Sequence, residues 1–103
     1  MARIDAEDLL PAERLREGVF NGDITQLHRG DAHAAVGDTF EIGGGEFEVT
    51  DVTERRLEEL TDADACAEGS SDLEAYRGRI ERTHGIEWDA EDTAVRHRFE
   101  RRG

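Results

Sequence analysis

Three groups of residues in this chain have types and spacings that can do chemistry: a carboxylate at a predicted helix end, an extended segment ending in arginine, and arginines alternating along a late strand. Glu68 follows Thr61-Asp62-Ala63-Asp64, a Thr-x-x-Asp opening that resembles a capping box and predicts a short helix through about Glu68. A carboxylate there meets the negative end of the helix dipole, so it calls for a partner, either Arg29 or an amino group on a ligand. Taken alone it is equally one more surface acid among 26 Asp and Glu. The guanidinium of Arg29 can fork onto a phosphate or carbonyl, or close a salt bridge to Glu68. In Thr93 to Glu100, Val95, His97 and Phe99 alternate with Arg96 and Arg98, so the two arginines share one face. With Arg101 and Arg102 they form a modest basic patch, which either pairs with the many acids or contacts phosphate.

The remaining reactive types carry less. His28, His33, His84 and His97 lack the spacing of a metal site, so no metal and no cofactor is expected. His97, on the apolar face of its strand, is expected to be a hydrogen-bonded core histidine. Cys66 is the one cysteine, which excludes an internal disulfide and a zinc site built on paired cysteines. It reads as a packed thiol. Tyr76 follows helical spacing with Leu73, Arg77 and Ile80 and is expected to pack, and Trp88 is expected to cap the fold rather than stack on a base. Gly43-Gly44-Gly45 is followed by a strand, so it is a hairpin turn and not a phosphate cradle.

The elements that must position these residues follow from periodicity. A first helix is predicted over Asp5 to Glu17, with Leu9, Leu10 and Leu15 on its apolar stripe, Pro11 near its start and Gly18 as its stop. Asn21-Gly22-Asp23 turns into a short extended segment, Ile24 to Arg29, and Gly30 to Gly37 is a loop. Thr39 to Ile42 and Glu46 to Thr53 form a hairpin in which Val52 is out of phase with Phe47 and Val49, the mark of a bulge or of the curvature of a small barrel. After the Thr61 helix, Ser71-Asp72-Leu73-Glu74 is a full capping box opening a second helix through about Thr83, ended by His84-Gly85. The expected fold is a small α+β domain over residues 1–103 whose strands curl into a barrel.

Composition sets the class. The chain has 103 residues, a formal charge of −13, 38% charged residues and 36% hydrophobic ones. All 13 basic residues are arginine. An acidic excess with arginine in place of lysine looks like the habit of salt-loving organisms, whose dense carboxylate surfaces hold water and cations at molar salt. The acids are scattered among recurring apolar residues, so a folded domain is expected rather than a disordered tail. No apolar run is long enough to span a membrane, and the N-terminus lacks a secretory pattern, so a cytoplasmic protein with no membrane partner is expected. Net negative charge opposes nucleic-acid binding, but molar salt screens that repulsion and leaves local arginines able to act.

With these elements in order, the chain resembles the ASCH domain, a branch of the PUA-like superfamily of small β-barrels with flanking helices, as a haloarchaeal-type member. Gly22-Asp23-Ile24-Thr25-Gln26-Leu27-His28-Arg29 stands where the family has Gly-x-Lys-Thr-x-Thr-x-Arg. Val36-Gly37-Asp38 matches the turn before the hairpin, Leu60-Thr61 through Ala67-Glu68-Gly69 the leucine, short helix and Glu-Gly junction, and Val95 to Glu100 the closing strand. The resemblance implies a ligand cleft between the Gly22–Arg29 segment and the Glu68-Gly69 junction, taking RNA, a nucleotide or a modified nucleoside.

Members similar to the bacterial amidohydrolase of N4-acetylcytidine use a lysine, a threonine nucleophile and a glutamate. Here Glu68 matches the glutamate and Thr25 the first threonine, but Ile24 and Leu27 hold the lysine and nucleophile positions, and neither can attack or move a proton. The expectation is therefore RNA or nucleotide binding at Thr25, Arg29 and Glu68, with phosphate contacts from Arg96 and Arg98. The alternatives are an amidohydrolase using Glu68 as acid/base on a water, or a protein-interaction module with an unknown partner.

Overall fold

The computed structural model describes residues 2–85 and 87–103. Helices α1 (Ala6–Leu9) and α2 (Glu13–Asn21) precede strand β1 (Gln26–Arg29) and the hairpin β2 (Thr39–Ile42) and β3 (Gly45–Arg56). A 3-10 turn (Leu57–Glu59), α3 (Asp62–Ala67), α4 (Leu73–His84) and β4 (Thr93–Arg101) complete the chain. The strands form one curled, wholly antiparallel sheet in the order β1-β4-β3-β2, a half-barrel flanked by helices. Among the described residues, no helix is long and apolar enough to cross a membrane.

One sheet face packs on α1 and α2. Leu9, Leu10, Leu15, Val19, Ile24, Leu27, Phe40, Phe47, Val49 and Phe99 form its core, with Phe40 stacked on Phe47 and edge-on to Phe99. Of the two causes expected for the out-of-phase Val52, the bulge is present: the register of β3 against β4 slips between Val49 and Asp51. That bulge returns Val52 to the core side, opposite His97. The other face is covered by α3 and α4 through a smaller cluster of Leu60, Ala65 and Tyr76, with Leu57, Leu73, Ile80 and Trp88 against it.

Three expectations about the helices are corrected. The predicted helix over Asp5 to Glu17 is two, because Pro11 drives Leu10 out of helical conformation, to φ −122° and ψ 83°. The carbonyl ends this break leaves on α1 are taken by arginines, Arg16 on the Leu10 oxygen at 2.8 Å and Arg29 on the Leu9 oxygen at 2.9 Å. Gly18 lies inside α2, and the helix stops at Gly22, whose φ of 84° is the left-handed cap. Asp72, not Ser71, caps α4, accepting the Ala75 N–H at 2.8 Å. The Thr61 cap is as predicted, with Asp64 returning the bond to the Thr61 N–H at 2.9 Å.

Gly18 is small for a packing reason. A methyl group there would lie 2.5 Å from Ile24 Cδ1 and 2.8 Å from its Cγ1, and one on Gly69 would lie 3.3 Å from the same Cγ1. Ile24 is thus clasped between two glycines, which locks the start of β1 to the α3 junction. Gly18→Ala is expected to lower stability by about 1 kcal/mol even though alanine favours helix by nearly as much. A denaturant midpoint that rises instead contradicts this packing.

Candidate functional site

Strand alternation sorts the Gly22–Arg29 segment into two sides. Leu27 enters the apolar core, while Gln26 and His28 turn to the other face and meet the end of α3. There Glu68, with no exposed surface, collects four donors. Its Oε1 accepts the His28 N–H at 3.0 Å and the Tyr76 hydroxyl at 2.9 Å. Its Oε2 faces His28 Nδ1 at 2.7 Å and accepts Gln26 Nε2 at 3.2 Å. This is how a carboxylate is tolerated in the interior: every lone pair it turns inward has a hydrogen. Burial, reinforced by the adjacent Glu68 carboxylate, pushes the Tyr76 phenol well above its usual pKa, so it is a permanent donor.

The network continues outward. Gln26 also donates to Asp64 Oδ1 at 3.1 Å and accepts from Arg98 Nε at 3.3 Å, and Arg55 reaches Asp64 at 3.0 Å. Burial opposes ionisation of Asp64, but the hydrogen bonds from Gln26 and the Thr61 N–H, together with the Arg55 guanidinium, outweigh it and hold the carboxyl down at about 2. On the opposite face, His97 Nε2 accepts the His33 N–H at 3.1 Å. Burial holds its imidazole below the usual range, with the Leu27 carbonyl only partly opposing.

The expected site residues do not converge on one cleft. The segment and the Glu68-Gly69 junction touch, through the Ile24–Glu68 bridge and the Thr25 N–H on the Ala67 carbonyl at 2.8 Å. What the sequence places as a cleft is therefore a seam, with an opening on either side. A groove of about 440 Å³ holds Thr25, Gln26, Asp64 and Arg98. A cavity of about 470 Å³ holds His28, Arg29, Tyr76, Ile80 and Trp88. Glu68 is buried and borders neither as an open surface. Arg29 does not pair with it but closes the end of α1. Arg96 is held by Asp51 through two bonds at 3.0 and 3.2 Å, whereas Arg98 is exposed in the groove.

Sequence reasoning missed Gln26, His28 and Tyr76. The first two had a signal, polar residues flanking Leu27 at period two. Tyr76 had none beyond its place on the α4 stripe. Cys66 is exposed, its thiol donating to the Ser71 carbonyl at 3.4 Å, where a packed thiol was expected. Among the described residues, no cluster of three or more His, Cys, Asp or Glu is placed to hold a metal ion.

No family model matches the chain, and no curated protein matches it. Two solved structures are similar. The crystal structure of an ASCH domain from Lactobacillus crispatus superposes over 97% of this chain and 78% of its own, with a TM-score of 0.65 at 18% identity. A protein from Enterococcus faecalis, assigned to the family DUF984, superposes over 96% of this chain and 74% of its own, with a TM-score of 0.55 at 14% identity. The fold is that of an ASCH domain, a small α+β architecture of a curled antiparallel sheet with flanking helices.

The titrating groups fix a pH profile of stability. Below the ordinary histidine value of 6.5, the unfolded chain takes up a proton on His97 that the folded chain resists, so stability falls as pH drops through that range. A second loss begins below 3.8, where Asp64 is protonated when unfolded yet still ionised when folded, and runs to about 2. Denaturant titrations across pH should show both declines on the acid side. Stability that rises on acidification from pH 7 to 5 contradicts the account of His97.

Proposed function

We propose that this chain is an RNA- or nucleotide-binding domain of the ASCH family, working at molar salt, and that phosphate lies in the groove of Thr25, Gln26 and Arg98. One observation carries the reading. Arg96 is neutralised by Asp51, but the exposed Arg98 has a single neutral partner, Gln26, and no carboxylate within 4.0 Å among the described residues. In a chain of net −13, a guanidinium in a groove lined also by Thr25, where Asp64 is already paired with Arg55, offers a local anion site beside the Glu100 carboxylate.

Charge repulsion limits this site at low salt. At about 1 M salt the Debye length is only ~3 Å, so the acidic surface no longer repels a polyanion while short-range contacts persist. The exclusive use of arginine and the scattered acids support that setting. Binding is favoured over amidohydrolysis because Ile24 and Leu27 are buried apolar side chains and the oxygens of Glu68 are already engaged.

Arg98→Ala is expected to weaken binding of a short single-stranded RNA several-fold across a KCl series and to flatten the salt slope by about 0.7, the share of one phosphate contact. Unchanged affinity and slope in a folded Arg98→Ala protein overturn the reading.

A further inference from the structure

On the far side of the seam from Arg98, the cavity of about 470 Å³ is closed by β1, the 3-10 turn, α4 and the start of β4. Its volume lies within the range of small-molecule sites, roughly 300–1,000 Å³. Its walls are apolar and flat: Leu57, Ile80, Ala94 and Trp88, with Tyr76 set edge-on to Trp88 at 6.3 Å between ring centres. The loop bearing Trp88 is tied down by its N–H on Glu81 Oε2 at 2.9 Å.

The polar groups of the lining are unequal. Tyr76 has spent its hydroxyl on Glu68, and Arg29 has committed Nη1 to the Leu9 and Asp8 carbonyls at 2.9 and 3.4 Å. His28 has not. Its side chain is 3% exposed, its Nδ1 faces Glu68, and its Nε2, on the opposite edge of the ring, is buried with no hydrogen-bond partner. Among the described residues this is the one buried side-chain polar atom left unmatched. Such an atom is costly in a folded interior unless a ligand completes it. A carboxylate oxygen at 2.7 Å accepts a proton from Nδ1, and in the Nδ1–H tautomer Nε2 is an acceptor. Asp92 adds a second acceptor to the lining. The lining also holds donors, the remaining Arg29 N–H groups and the Thr93 hydroxyl, but among the described residues His28 Nε2 is its one buried side-chain polar atom left without a partner.

We propose that this cavity is a subsite for a flat heteroaromatic ring bearing an amino or ring N–H edge, with His28 Nε2 accepting that hydrogen bond and the apolar walls of Leu57, Ile80 and Trp88 enclosing the ring. The inference rests on the proposed nucleotide reading only in naming the ring a nucleobase. It assigns the two openings different halves of one ligand class: phosphate at Arg98, base at His28.

The wild-type protein tests this without any substitution. Adenosine and cytidine are titrated in molar KCl, each beside its analogue in which a methyl group replaces the exocyclic amino group, with the emission of Trp88, the chain's one tryptophan, as reporter. At least one amino nucleoside should change that emission and bind about ten-fold more tightly than its methyl isostere, the effect of one buried hydrogen bond left unmade. In a His28→Phe protein that circular dichroism shows to be folded, where the Nε2 acceptor goes together with the Nδ1 contact to Glu68, that preference should fall to within about two-fold, since only the hydrogen bond separates the isosteres. Equal binding of both isosteres, or preference for the methyl form, overturns the assignment of Nε2. Amide shifts at Thr25 and Arg98 without any change at Trp88, or RNA binding with all nucleosides silent, overturn the subsite and leave the RNA reading standing. If neither nucleosides nor RNA bind, both readings fall.

Discussion

The structure turns on one buried carboxylate. Removing Glu68 from water costs on the order of several kcal/mol unless its oxygens are fully matched, and four donors from three residues on β1 and α4 match them. The constraint reaches outward from there. The β1 edge must lie along the end of α3, so that the His28 N–H, which no neighbouring strand accepts, finds Oε1. Helix α4 must present Tyr76 at hydroxyl distance, and burial keeps that phenol protonated. The imidazole of His28 must turn Nδ1 inward, which leaves Nε2 as the unmatched atom of a residue that lines the cavity. A group that serves packing in this way also fixes what the neighbouring opening can recognise.

The same arrangement explains why the two openings differ. Gln26 bridges Asp64 and Glu68 and holds Arg98 by its own oxygen, so the groove side of the seam carries a cation. On the other side Arg29 turns Nη1 to the end of α1, a need created by Pro11, and His28 Nε2 is left as the buried atom without a partner. Exposed edges of the sheet are covered as well. Ala2 to Ile4 run along β2, and the Ala67 carbonyl and Glu68 take the free side of β1.

Much of the fold was legible because its signals are local. Alternation marked the hairpin and the phase slip at Val52 marked the bulge; Thr61 and Asp64 marked the start of α3. The first helix was misread because Leu9, Leu10 and Leu15 satisfy a helical stripe even though Pro11 forbids continuity, and periodicity does not weigh the proline against the leucines. The site was half legible. Glu68 stood out as a misplaced charge, and the need for a partner was real, but the partners are 8 to 42 residues away in sequence. Choosing His28 and Gln26 over Arg29 requires knowing that β1 pairs with β4 and which of its faces meets α3, and no local pattern fixes that pairing. Resemblance to ASCH domains ordered the elements correctly while directing attention to Ile24 and Leu27, which turned out to be core.

The most direct test of this account is the nitrogen chemistry of His28 itself, read by two-bond proton–nitrogen correlation of the histidine rings at neutral pH. The account predicts that His28 is a single Nδ1–H tautomer whose Nδ1 proton is strongly deshielded and slow to exchange, and that replacing Glu68 with Gln shifts that proton while leaving the signals of His97 in place. A His28 ring that carries its proton on Nε2, or averages rapidly between tautomers as a solvent-exposed imidazole does, contradicts the claim that a buried Glu68 organises the site.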